Sequence, residues 1–370
     1  MDASPDRQVD FDARKKLLDQ LGAPGGPLAA DTSSSTVHNS GWFRDGIRPS
    51  AERRAAHREI RAAFRAQRPN VKRDRRAIVL AGPPGAGKSS ARAKLIADLD
   101  SSEQDWRDLN ADDFKDHLLL RAQRDGTLEH ELSPPGTEVL SPRERASLVH
   151  EESSLLMKQE RDRAVLRGEN VILDGTLANE RKAFDTLRML QENGYAVDLV
   201  VVDGPKAVTQ ARAEYRWRTE YLASLKPDAT EVERLGGRAV PAGFSDALYE
   251  QDDQSICAGI AKRVADANVN VVSFQRYTVQ RPEAAPELVE KYAGKRDDGR
   301  WSRKWTLRGA VTQAEASTHP LAAPSRPASR SIDEVSGSAQ SASGEVWVAP
   351  HQRNGRDVDG FYRRRPQPRS

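Results

Sequence analysis

The segment AIVLAGPPGAGKSS, residues 77–90, carries the pattern G-x-x-x-x-G-K-[ST] through Gly82, Gly87, Lys88 and Ser89. The residue types suit a phosphate. Gly82, Gly85 and Gly87, with Pro83, Pro84 and Ala86 between them, allow a tight curl that turns several N–H groups toward one point beside a helix N-terminus. Lys88 adds a full charge on a mobile stem. The Ser89 hydroxyl stands where a Mg²⁺ bridging two phosphates takes a ligand, and Ser90 extends the cradle into the helix. A glycine turn of this kind also occurs without a ligand, but here an apolar run precedes it and a helix-forming segment follows.

Phosphoryl transfer also needs carboxylates, one to take the proton of an attacking hydroxyl and others to place Mg²⁺ or its waters. The sequence offers them after short apolar runs: Asp112 and Asp113 in LNADDF, Asp174 in ENVILDGT, and Asp203 in DLVVVDGP. Each alone reads equally well as a helix cap or turn former. Positive charge for the transferring group is available from Arg212, Arg216 and Arg218 in ARAEYRWR, and from Arg238 in GGRAVP. Arg212 and Arg216 are four apart and share a helix face; solvated surface charges remain the alternative for all four.

These residues need a frame, and the pattern supplies one. Strand-like runs at 77–81, 169–173, 197–202 and 269–274 alternate with helical periods at 89–99, 206–218 and a segment bearing Phe184, Leu187 and Leu190. A late helix carries Leu248, Ile256, Ile260 and Val264. Alternation of this kind predicts an α/β fold with a parallel sheet flanked by helices and a ligand crevice at the carboxyl ends of the strands. Residues 1–75 read as a helical extension. One helix spans 9–21 with Phe11, Leu17, Leu18 and Leu21 inward; a second spans 51–67 with Ala55, Ile60, Ala63 and Phe64 inward and arginines outward. That basic face could meet nucleic acid, although charged helix faces are usually solvated.

The 370 residues carry a net charge of +3 and are 37% hydrophobic, which fits one packed core with solvated flanks. Residues 281–370 hold 16 Lys and Arg against 11 Asp and Glu, so the positive excess lies in the C-terminal quarter. This region, rich in Pro, Ser, Ala and Arg, predicts a largely disordered basic tail. Within it, GRWSRKWTLRG places Trp301 and Trp305 among cations, either as a nucleic-acid or acidic-partner contact or as a short element docked on the core. The single Cys257 gives no internal disulfide. The polar N-terminus and the lack of an apolar run near 18 residues predict a cytoplasmic protein without a membrane span.

Taken in order, GPPGAGKSS, NADDFK (110–115), LDGT (173–176), the GPK turn (204–206) with YRWR downstream, and GRAVP (237–241) resemble the zeta-toxin kinases. That resemblance implies an ATP-dependent kinase of the P-loop class, folded over 76–280, which phosphorylates the sugar 3-hydroxyl of UDP-N-acetylglucosamine with Mg²⁺. By the same resemblance Lys88 binds the ATP phosphates, Asp112 is the general base, and Arg216 and Arg238 clamp ATP and stabilise the transition state. Thr176 lines the sugar-nucleotide pocket, Ser89 holds Mg²⁺, and Asp174 assists through a water. A family glutamate that contacts the sugar has no clear counterpart: ungapped alignment puts Lys158 there, with Glu151, Glu152 and Glu160 nearby, and Glu152 is taken as its equivalent. Leu177 follows Thr176 where some members have a glycine-arginine pair. The family's partner is a small helical antitoxin over the ATP site. A kinase for another acceptor, such as a nucleic-acid end, and a non-catalytic nucleotide-binding module are the rival readings.

Overall fold

The computed structural model describes residues 9–29, 32–251, 253–295 and 300–306, with short strand segments at 311–312, 345–348, 351–353, 356–358 and 361–364. Its centre is a sheet. The strands are β1 (Arg76–Ala81), β2 (Arg107–Leu109), β3 (Val171–Asp174), β4 (Ala196–Asp203), β5 (Val271–Thr278), β6 (Glu287–Lys295), β7 (Trp301–Thr306) and β8 (Val311–Thr312), in the spatial order β8-β7-β6-β5-β4-β1-β3-β2. β1 to β5 are mutually parallel, and β6 to β8 extend the sheet antiparallel beyond β5.

The parallel strands are near-continuous apolar runs because both faces are covered. Ile78, Leu80, Val200 and Val202 face α3 (Lys88–Asp98), meeting Ala91, Leu95 and Ile96. Ala77, Val79, Leu199 and Val201 face the larger core. That core includes Leu118 of α4 (Ala111–Arg124), Leu156 of α5 (His150–Leu166), Leu187 of α6 (Glu180–Glu192) and Val264 of α8 (Ile256–Ala267). Between β4 and β5 runs α7 (Lys206–Ser224), which carries Trp217 inward.

The N-terminal extension is built into this domain. In α1 (Phe11–Leu21), Phe11 meets the rings of Trp217 and Tyr221 edge-on at 5.4 and 5.7 Å, while Arg14 Nε donates to Glu144 at 2.7 Å. In α2 (Ala51–Ala66), Ile60 and Phe64 are buried as expected, and Phe64 packs on Phe114 at 4.6 Å. The arginine face departs from the expectation. Arg53 and Arg61 are turned inward, whereas Ala63 is exposed. Arg53 donates to both oxygens of Glu152 at 2.6 and 2.7 Å, His57 Nε2 lies 2.6 Å from the same carboxylate, and Arg65 reaches Glu160 at 2.7 Å. α5 supplies the acids that α2 needs, so cations that looked like a nucleic-acid surface are spent inside the fold.

The C-terminal boundary also moves. Glu287–Lys295 and Trp301–Thr306, expected within the disordered tail, are strands of the central sheet. They are antiparallel strands with partly exposed side chains such as Leu288, so the sequence shows apolar residues mixed with charges where a strand buried on both faces would show a run. Trp301 is buried, lies 5.7 Å from the Tyr292 ring and donates to Asp266 at 2.8 Å, which makes it a docked core element. Residues 313–344, also assigned to the tail, lie outside the described residues, as does the Trp305 side chain.

Breaking a buried charge pair leaves an uncompensated ion and costs about 3–5 kcal/mol. Glu152→Ala removes the shared partner of Arg53 and His57. It is expected to lower unfolding free energy by about that amount in urea titrations, whereas substitution of the exposed Glu59 should cost under about 1 kcal/mol.

Candidate active site

The glycine loop leaves β1 at Gly82 and closes on Lys88, the first residue of α3. Gly82, Gly85 and Gly87 adopt φ of 131°, 81° and 97°, open to glycine and rarely to other residues. Space demands glycine as well: a Cβ at Gly82 would lie 2.0 Å from Val202 O, and one at Gly85 2.1 Å from Thr209 O. Neighbouring strand ends lock the loop. Gly82 N–H donates to Thr176 O at 3.1 Å, and Gly175 N–H donates to Leu80 O at 3.3 Å. Pairing of Leu80 with Asp174 in the β1–β3 register sets this meeting. Lys88 Nζ donates to Gly82 O at 3.0 Å and stands 3.8 Å from Asp174 Oδ1.

Asp112 lies in the first turn of α4, where Asn110 caps the helix by accepting its N–H at 3.0 Å. Lys115 Nζ meets one of its oxygens at 2.9 Å and Arg238 Nη1 meets the other at 2.8 Å. Burial alone would raise this carboxyl; Arg238, Lys115 and more distant Arg216 overcome it and hold Asp112 at about 2. The next residue behaves in the opposite way. Burial, followed by the charges of Asp108, Asp116 and Asp112, pushes Asp113 up to about 7, with Arg238 opposing. Two adjacent acids therefore sit in different charge states near neutrality.

Asp174 is raised by burial, against the pull of Lys88. Its Oδ1 is buried with no hydrogen-bond partner. This orphaned acceptor beside the phosphate loop, with the Ser89 hydroxyl exposed in the first turn of α3, fits Mg²⁺ or one of its waters. Among the described residues no group of three His, Cys, Asp or Glu could hold a metal by itself. A cation here would share its coordination with nucleotide phosphates. Thr176 sits on the same edge, and Leu177 after it takes φ of 57°, a left-handed conformation that is strained for a leucine.

The three arginines of α7 separate into distinct roles that spacing could not distinguish. Arg212 donates to Gly85 O at 2.8 Å, Pro282 O at 2.9 Å and Ala284 O at 2.6 Å, fastening the loop to the β5–β6 turn. Arg218 pairs with Asp12 at 3.0 Å and with Glu214. Arg216 is exposed and acts on Asp112 from a distance, so it is the cation of this helix left open to a ligand. The loop after a short 3₁₀ turn at Glu233–Leu235 returns Arg238 to α4, where it meets Asp112 and Asp116.

Two expectations are corrected. Glu152 is not at the crevice: it is fully buried and both oxygens are engaged by Arg53 and His57, which hold it at about 2 against burial. Glu160 is likewise committed to Arg65. Of the acids considered there, Glu151 has a buried Oε2 without a hydrogen-bond partner. Asp203 is buried and accepts the Ser255 N–H at 3.2 Å, a long-range contact at the start of α8 that is neither a place at the crevice nor a local cap. Asp116 and Arg143 went unnoticed in the sequence, where each is one charge among many.

The glycine loop on the central strand, the acid at the end of the adjacent strand and the parallel order β2-β3-β1-β4-β5 define a P-loop kinase-like α/β domain. The Zeta toxin family model matches residues 61–280, more than half of the chain, and the chain belongs to that family. Kinase-like, ATP-dependent phosphotransfer is the general chemistry of this membership. Similar solved structures include the complex of AvrRxo1-ORF1 and AvrRxo1-ORF2 with ATP, 15% identical with a TM-score of 0.48, over 69% of this chain and 70% of that one. The PezAT chromosomal toxin-antitoxin system of Streptococcus pneumoniae is 14% identical with a TM-score of 0.40, over 63% and 77%. No curated protein matches the chain. None of the helices among the described residues is long and apolar enough to cross a membrane.

The ordinary carboxyl value for Asp113 is 3.8 and the folded one about 7, so folding strengthens its hold on a proton. Its contribution therefore favours the folded state at low pH and is lost as the pH climbs from about 4 to about 7. Asp113→Asn should melt above the wild type at pH 8, with the gap closing near pH 4 in thermal scans.

Proposed function

We propose that the protein transfers the γ-phosphate of ATP to the sugar 3-hydroxyl of UDP-N-acetylglucosamine. The observation that carries this reading is the convergence of Asp112 and Arg238, joined at 2.8 Å, in a chain of the Zeta toxin family whose Lys88 lies against its own glycine loop, donating to Gly82 O. Asp112 is ionised at neutral pH and available as base. The acceptor hydroxyl gives its proton to Asp112 while its oxygen bonds to the γ-phosphorus. The bond from that phosphorus to the oxygen bridging the β-phosphate breaks, and ADP leaves with the electron pair.

Loop N–H groups and Lys88 hold the β- and γ-phosphates, and Arg216 and Arg238 neutralise charge as it spreads over the transferring group. Bound through Ser89 and Asp174, Mg²⁺ would supply further charge neutralisation. Thr176 borders the acceptor, and Glu151 replaces Glu152 as the acid proposed to reach the sugar. By family, a small helical antitoxin over the ATP site is the proposed partner, and the cytoplasm the proposed compartment.

Removing a general base costs roughly 10²-fold or more. Purified protein with Mg²⁺, ATP and UDP-N-acetylglucosamine should yield a phosphorylated sugar nucleotide, and Asp112→Ala should reduce its rate by at least that factor at unchanged melting temperature. Transfer instead to UDP-glucose or an RNA end in the same assay would replace the acceptor; retention of full rate by the variant would remove Asp112 from the chemistry.

A further inference from the structure

The Asp112–Arg238 pair is the visible end of a longer chain of charges. Asp116, one turn further along α4, accepts Arg238 Nη2 at 2.8 Å. Arg143 donates to both oxygens of Asp116, at 3.1 and 2.7 Å, and its Nη1 reaches Gly236 O at 2.8 Å. The main chain leading into Arg238 is equally confined. A Cβ on Gly236 would lie 2.5 Å from Ser141 Oγ, and one on Gly237 2.1 Å from Trp217 O. Ser141 is itself fixed by Glu144, whose carboxylate also accepts the Trp217 indole N–H at 3.0 Å.

This arrangement bears on the base. Asp112 presents two oxygens, one taken by Lys115 and the other by a single guanidinium nitrogen of Arg238. A guanidinium facing one carboxylate alone settles into a two-pronged fork and covers both oxygens. Asp116 holds the second amino group of Arg238 and so denies it that fork. Nearly all of Asp116's remaining capacity is used by Arg143, which leaves it no freedom to follow Arg238 elsewhere.

We propose that Asp116, braced by Arg143, is a positioning residue that holds Arg238 astride the base and the phosphoryl-transfer path, keeping one edge of the Asp112 carboxylate open to the acceptor hydroxyl. The proposal rests on the kinase reading of Asp112 and Arg238. Both side chains of the Asp116–Arg143 pair retain some solvent contact, 22% and 14%, so loss of one partner is compatible with folding.

The test is a double-mutant cycle on full-length protein, with Mg²⁺, ATP and UDP-N-acetylglucosamine and, independently of any acceptor, with ATP hydrolysis alone. Misplacing a catalytic group by about 1 Å costs on the order of 10²-fold. Asp116→Asn is expected to lower turnover about 10- to 100-fold, with Asp116→Glu recovering part of the loss. In an Arg238→Ala background the same Asp116→Asn change should cost less than about twofold, since the group it positions is gone. Equal losses in both backgrounds would overturn the positioning role while leaving the kinase reading intact. An Arg238→Ala protein with wild-type turnover and hydrolysis would sink the kinase reading of Arg238 and the proposal with it.

Discussion

Everything at the active edge depends on three strand ends meeting with no side chain between them. Gly82 passes so near Val202 O that even a methyl group would collide, and its N–H is held by Thr176 O from the strand on the other side. The phosphate loop is therefore one turn of a backbone network shared by β1, β3 and β4. Because the β1–β3 register pairs Leu80 with Asp174, the acid that ends β3 arrives beside Lys88. A slip of one residue in that register would turn every inward side chain of the strand outward and separate the two charges.

Electrostatics then divide closely spaced acids by their surroundings. Asp112 has two cations in contact and stays ionised; Asp113, its neighbour, is raised first by burial and then by three nearby acids, and keeps a proton until near neutrality. Their chemical difference is created by the loop bearing Arg238 and by Lys115 one turn away, since the two side chains are of the same kind. The same principle fixes Glu152, which would be costly in its apolar surroundings without the fork of Arg53 and the His57 ring.

The parallel strands, the glycine loop and most helices were legible because burial on one or both faces imposes periods of 2 and 3.6 on the sequence. Long-range charge pairing leaves no such period. Arg53 and Glu152 are 99 residues apart, and nothing in either neighbourhood announces the other, so a cationic helix face read as solvated and an acid read as a ligand turned out to be partners. By spacing alone Arg212, Arg216 and Arg218 looked equivalent, although the family resemblance singled out Arg216, because their contacts with carbonyls of the β5–β6 turn and with Asp12 are made only in the folded chain. β6 and β7 escaped notice because these antiparallel strands mix charges with their apolar residues and so lack the continuous run of the parallel ones.

The docking of α2 on α5 has a further consequence for how such chains diverge. An arginine fork, an imidazole and a carboxylate enclosed together cannot be exchanged one at a time without stranding a charge away from water. Positions 53, 57 and 152 are bound to drift as a set, through neutral triplets or not at all. Their joint variation would distinguish relatives that keep this N-terminal helix as part of the domain from those that share only the nucleotide-binding sheet.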